Sequence, residues 1–208
     1  GGIRSFNPGQ EFIFCGPKNC RGLFANGTSF NGNRQKNANW DFGEHTNTSK
    51  VTDMSQMFDG LERFNGALEG NWDTSKVTTM KQMFMTCKAF RGTHAMNWNT
   101  SKVTDMYRVF WNCGLFNQDV SGWDTSNVEN MHELFYNNQN FDQDLSGWNT
   151  SKAKDMEKMF QNCTKFDSDI SGWDTSKVTE MRYMFMFCQT FNQDLSGWCV
   201  SKISTEPT

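Results

Sequence analysis

Residues 174–198 read D-T-S-K-V-T-E-M-R-Y-M-F-M-F-C-Q-T-F-N-Q-D-L-S-G-W, and the same unit fills 47–72, 73–98, 99–123, 124–148 and 149–173 without a break. The first two copies span 26 residues and the other four 25. A period of this length marks stacked coils. One such unit cannot bury its own apolar face, so neighbours must lie on each other to make a continuous core.

Within the unit, Val178, Met181, Met184 and Phe185 fall at i, i+3, i+6 and i+7, the spacing of one helical face. Thr175 and Ser176 stand where N-cap hydroxyls belong, and Glu180 puts negative charge in the first turn. The stretch from Phe191 to Leu195 reads as a short extended segment ending in a turn at Gly197. Repeated in register, its backbone groups would pair with those of the next coil. The fold expected is an α/β solenoid with a short helix and a short parallel strand in each coil.

A lysine after Thr-Ser is followed three residues later by an acid at Lys50/Asp53, Lys102/Asp105, Lys152/Asp155 and Lys177/Glu180, and both turn neutral together at Asn127/Asn130. The joint change predicts side-chain contact, worth about 0.2 to 0.5 kcal/mol on an exposed helix. Residues 1–46 read as a degenerate N-terminal capping coil, in which Phe24 and Phe30 keep the spacing of Phe58 and Phe64, with an insertion carrying Trp40. Residues 47–198 form the six-repeat array, and 199–208 read as a C-terminal tail or the start of a linker.

The chain has 208 residues, with Lys+Arg 20 against Asp+Glu 23 for a net charge of -3. Mean hydropathy is -0.71, and no run of like charge concentrates a field. These features argue against nucleic acid or an anionic membrane as partner, and no apolar stretch is long enough for a transmembrane segment. The start at Gly1-Gly2, without Met or an apolar leader, suggests a piece of something longer, with any signal or anchor outside this window.

Cys87, Cys113, Cys163 and Cys188 each follow the repeat phenylalanine by three residues, where Asn138 and Leu61 stand in two other copies. They read as a column of buried free thiols able to bond to a neighbouring coil's backbone, as Asn can. Cys15 and Cys20 bracket a short loop around Pro17 and are candidates for a disulfide, with two unpaired thiols as the alternative.

The pattern V-T-x-M-x-x-M-F-x-x-C-x-x-F-N-Q-D-L-S-G-W-[DN]-T-S resembles a bacterial surface-protein repeat of about 26 residues, abundant in mycoplasma lipoproteins and similar to BspA-like leucine-rich repeats. The resemblance covers 47–198. It implies a leucine-rich-repeat-like array in a secreted or cell-surface protein, used in adhesion or antigenic display, without enzymatic activity. The Asp of Asn-Gln-Asp is absent from the first two copies, which departs from the pattern.

Asp119, Asp144, Asp169 and Asp194 form a column of carboxylates, for which calcium is one reading and capping of the following Ser-Gly turn the preferred one. The threonines Thr48, Thr74, Thr100, Thr125, Thr150 and Thr175 could present hydroxyls to ice or polysaccharide, although capping already explains them. The tryptophans Trp72, Trp98, Trp123, Trp148, Trp173 and Trp198 read as core rather than as sugar platforms.

Function is better sought where the copies disagree. Trp111, Tyr136, Met186 and Phe187 follow the repeat phenylalanine, and with Tyr107 and Tyr183 they could form an aromatic ridge for a partner. Asn26, Asn47, Asn99, Asn149 and Asn162 head glycosylation sequons should the host be a eukaryote. The three histidines occupy unrelated positions and no nucleophile set or phosphate loop recurs, so neither an active site nor a cofactor is expected. The expectation is an extracellular repeat protein that binds a protein or glycan at a cell surface. Self-assembly of copies into a filament or layer is the alternative.

Overall fold

A computed structural model describes residues 19–25, 48–66, 68, 72–92 and 96–203. Coil follows coil as the repeat requires, numbered here coil 1 (48–72), coil 2 (73–98), coil 3 (99–123), coil 4 (124–148), coil 5 (149–173) and coil 6 (174–198). A continuous line of parallel bridges runs Asn19, Asp53, Thr79, Asp105, Asn130, Asp155, Glu180. Residues 19–25 lie on coil 1, with Cys20 N–H donating to the Asp53 carbonyl at 2.8 Å.

The expected helix and strand do not form: among the described residues there is neither, and the α/β solenoid is replaced by coils of consecutive tight turns. The reason lies in where the backbone donors go. In coil 1 the N–H groups of Met57, Asp59 and Leu61 close i to i+3 turns on Met54, Gln56 and Phe58. Those of Met54, Gln56, Phe58 and Gly60 instead donate sideways to Thr79, Lys81, Met83 and Met85 of coil 2, at 2.8 to 3.1 Å. A helix would keep every donor within its own segment, and a strand would close no turns.

Two left-handed positions per coil make this alternation possible. Gln56, Gln82, Arg108, Glu133, Lys158 and Tyr183 have φ of 53° to 58°. Four residues on, Gly60, Thr86, Asn112, Asn137, Asn162 and Phe187 have φ of 59° to 76°. A φ above zero in each coil is incompatible with both helix and strand.

The stretch expected as a strand is laddered by side chains instead. Asn117 Oδ1 accepts from Asp142 N–H, Asp142 Oδ1 from Asp167 N–H, and Asp167 Oδ1 from Asn192 N–H, at 2.9 to 3.0 Å. Every coil but coil 2, which has Arg91 there, so carries an Asn or Asp where a sheet would supply a carbonyl.

The core is three parallel columns of rings. Phe24, Phe58, Phe84, Phe110, Phe135, Phe160 and Phe185 form one, with centroids 5.3 to 6.0 Å apart. Phe64 to Phe191 form the second, and within a coil the two rings stack at 4.0 to 4.8 Å. The tryptophans form the third, at 6.0 to 6.3 Å. Offset stacking of this kind adds about 0.5 to 1.5 kcal/mol per pair to the burial itself.

Buried methionines, valines and leucines fill the remaining space. The cysteine column is buried from coil 2 to coil 5 and half-buried at Cys188, and its thiols donate to carbonyls one coil back, as from Cys113 to Phe84 at 3.0 Å. Asn138 fills the same slot and accepts from Cys113 N–H at 2.8 Å. The exchange of Cys for Asn is explained by backbone bonding in both cases.

The tail differs from a linker in its first residues. Thr175 Oγ1 donates to the Cys199 carbonyl at 3.0 Å, and Ile203 N–H to Val200 at 3.1 Å, repeating the turn from Val178 to Thr175. Residues 199–203 therefore repeat the turn that opens each earlier coil.

Candidate interaction ridge

The face that carries the consecutive turns holds most of the large variable side chains. Trp111 of coil 3 and Tyr136 of coil 4 stack at 5.4 Å with planes 7° apart, and Tyr107 lies 5.3 Å from the His132 ring. The Arg108 guanidinium sits 4.8 Å from the Tyr107 ring and 5.8 Å from Trp111, and Lys81 Nζ covers Tyr107 at 4.8 Å. Beside them Asn137 Nδ2 donates to Asn112 Oδ1 at 2.6 Å.

Of the six ridge residues expected, Tyr107, Trp111 and Tyr136 come together on coils 3 and 4, half-buried. Met186, Phe187 and Tyr183 lie on coil 6, with Lys158 and Gln161 of coil 5 between the groups. Lys158 Nζ is 5.8 Å from the Tyr183 ring, and Gln161 Nε2 meets Met186 Sδ at 3.4 Å. Phe187 is 60% exposed and Tyr183 38%, so the apolar surface is most open at the end of the stack.

The charged residues woven into the ridge were not expected from the sequence. Arg108 pairs with the buried Glu133, Lys158 with Glu157 at 2.6 Å, and Arg182 reaches Glu157 at 3.8 Å. His132 lies 3.3 Å from Glu133 and 3.4 Å from Asp155. Burial alone would lower the pKa of His132, but Asp155, Glu133 and Glu157 outweigh it and hold the imidazolium above its ordinary value. Comparing one column across coils (Lys81, Tyr107, His132, Glu157, Arg182) would have pointed to them.

The Lys50/Asp53 type of pair is corrected. Asp53, Asp105 and Asp155 each turn Oδ1 back onto the N–H two residues on, as from Ser55 at 2.8 Å, and Asn130 does the same for His132. Among the described residues none of these lysines reaches its expected acid. The joint neutral change at Asn127 instead lets that side chain donate to the Ser101 carbonyl at 2.7 Å.

Asp119, Asp144, Asp169 and Asp194 cap Ser121, Ser146, Ser171 and Ser196, accepting their N–H at 2.8 to 2.9 Å. Hydrogen bonds from the Ser121 side chain and backbone hold Asp119 below the usual carboxylate range, against slight burial and the like charge of Asp144. Among the described residues no group of three or more His, Cys, Asp or Glu is placed to hold a metal.

The threonines are 0 to 2% exposed, and each hydroxyl donates to a carbonyl of the next coil, as Thr125 Oγ1 does to Asn149 at 3.0 Å. That corrects the hydroxyl array proposed for ice or polysaccharide: the groups face the interior and are already spent. They cap no helix, since none follows. Trp72 to Trp173 are 3 to 8% exposed and Trp198 half-buried, as core.

Cys20, expected in a disulfide, is a buried free thiol in the Met54 column, with its pKa raised by burial; Cys15 lies outside the described residues. Cys199 is an exposed free thiol. Among the sequons, Asn99 and Asn149 are exposed and turn Oδ1 onto Ser101 and Ser151 N–H. Asn162 is half-buried at φ 63°. Asn26 and Asn47 lie outside the described residues.

No helix among the described residues is long and apolar enough to cross a membrane. No curated protein and no solved structure matches the chain. A family model does, twice in overlapping stretches, over 18–132 and 112–206, which together take in every coil from the first bridge to the opening of the last turn. The chain therefore belongs to the family described as Mycoplasma protein of unknown function, DUF285.

Proposed function

We propose that this is a non-enzymatic, extracellular repeat protein that binds a protein partner through the ridge of Tyr107, Arg108, Trp111 and Tyr136. The observation that carries the reading is the stacked Trp111–Tyr136 pair, with Arg108 beside Trp111 and Tyr107, on a face where neighbouring coils carry unrelated side chains. Trp, Tyr and Arg, held rigid and half-buried, are the residue types that dominate protein contacts. Trp111 and Tyr136 each turn one ring face onto the other, which leaves less open face than a sugar ring needs to stack on. The resemblance to surface-lipoprotein repeats supports the location outside the cell.

The test is binding of the purified chain to intact host cells, compared with Trp111→Ser and with Tyr136→Ser. Loss of binding with an unchanged melting curve supports the ridge. Equal binding by both folded variants removes it, and immunogold labelling confined to the cell interior removes the extracellular reading.

Self-assembly is the second reading, favoured by coil 6. Phe187 and Tyr183 leave apolar surface exposed there, and a second copy is the occupant this reading requires. Concentration-independent monomer in sedimentation would exclude it.

A further inference from the structure

His132 stands between carboxylates on two different coils. Its Nε2 is 3.3 Å from Oε1 of Glu133 in coil 4, and its Nδ1 is 3.4 Å from Oδ2 of Asp155 in coil 5. A neutral imidazole has one N–H and one lone pair, so one of these contacts would set a lone pair against a carboxylate oxygen. Only the imidazolium can serve both.

The surrounding charges do not relieve this. In coil 3, Arg108 is committed to Glu133, and Tyr107 stacks near the imidazole under Lys81. In coil 5, Lys158 is committed to Glu157, which Arg182 of coil 6 also approaches. Asp155 spends Oδ1 on Glu157 N–H at 2.9 Å, and among the described residues His132 is the one cation paired with it.

We propose that His132 is a proton-operated strap that ties coil 4 to coil 5 when charged and releases them when neutral, thereby setting the order of the ridge. The consequence for binding rests on the ridge being the contact surface; the strap itself does not. His132 packs against Tyr107, and the main chain on either side of it is laced to coil 5. Met131 N–H donates to Asp155 and Glu133 N–H to Glu157, both at 2.9 Å. A partner that needs an ordered ridge would be held more tightly in mildly acidic surroundings. The raised pKa of His132 is in keeping with the geometry.

The test needs no partner. Hydrogen exchange of the intact chain is followed at Met131 and Glu133 at about pH 5.5 and about pH 8, either side of a histidine's range and corrected for intrinsic rate, with the imidazole titrated by NMR. The expected result is protection lower by at least about fivefold at the higher pH, and a titration midpoint above the ordinary histidine value. His132→Gln should be weakly protected at both pH values. His132→Arg, permanently charged, should be well protected at both. Equal pH dependence in wild type and both variants, or a midpoint below the ordinary value, overturns the strap. A normal strap with unaltered binding by the ridge variants would instead overturn only the ridge.

Discussion

The indole N–H of Trp148 donates to the carbonyl of Val120, one coil back, at 3.0 Å. The same bond recurs from Trp123 to Met96, Trp173 to Leu145 and Trp198 to Ile170, at 3.0 to 3.1 Å. Trp148 so pins its coil to the one before while its ring stacks on Trp173 of the one after. Trp148→Ala removes both and should cost about 3 to 5 kcal/mol. Trp148→Phe keeps an aromatic ring but strands the Val120 carbonyl, for a smaller loss of about 1 to 2 kcal/mol. Urea unfolding measures both, and a neutral Trp148→Ala would mean the column is not core.

Thr125 tests the neighbouring column. Its hydroxyl is 1% exposed and bonded to the Asn149 carbonyl, so Thr125→Val preserves shape and leaves that carbonyl unpaired. A loss of about 1 to 2 kcal/mol in the urea midpoint is expected. An unchanged midpoint would show that the hydroxyl is dispensable to the stack.

How much of this was legible in the sequence follows from what each column does. The phenylalanine, tryptophan and methionine columns were readable, because stacking demands the same apolar residue in each coil. So was the Cys/Asn slot, because both side chains bond to backbone. The helix was not, because turns closed at Met54–Met57 and Phe58–Leu61 bury side chains at nearly the spacing a helix uses. What separates them is φ, and Arg108, Lys158 or Tyr183 in the left-handed region gives no signal in residue type. The ridge was half legible: aromatics stood out by disagreeing between copies, but the His132, Glu133 and Asp155 cluster is assembled across coils from residues that look ordinary within each one.

Asp59 occupies the column that holds Met85 and Trp111 in the next coils, and burial pushes its carboxyl up to about 6, against the backbone hydrogen bond from Gly60. A raised folded value means its contribution is favourable at low pH and lost as pH rises from the ordinary carboxylate range through about 6. Asp59→Asn keeps the shape without the charge. Allowing for solvent screening of a half-exposed group, it should be more stable than wild type by on the order of 1 kcal/mol at neutral pH, with the gain vanishing in acid. A thermal melt of both proteins against pH checks this, and a pH-independent difference would show that charge burial is not the cause.

Phe187 is the aromatic occupant of a left-handed slot filled by Asn112, Asn137 and Asn162 in the three preceding coils, at φ of 59° to 64°. Asparagine tolerates that region and a bulky ring does not, and here the ring is also 60% exposed, so little burial offsets the strain. Phe187→Asn should therefore raise stability by about 0.5 to 1 kcal/mol. Phe187→Gly, freed from the strain but with more chain entropy to lose on folding, should gain less. If both variants lose stability instead, the ring is packing against something in solution, and sedimentation of the wild-type chain at increasing concentration would identify a second copy as its cover.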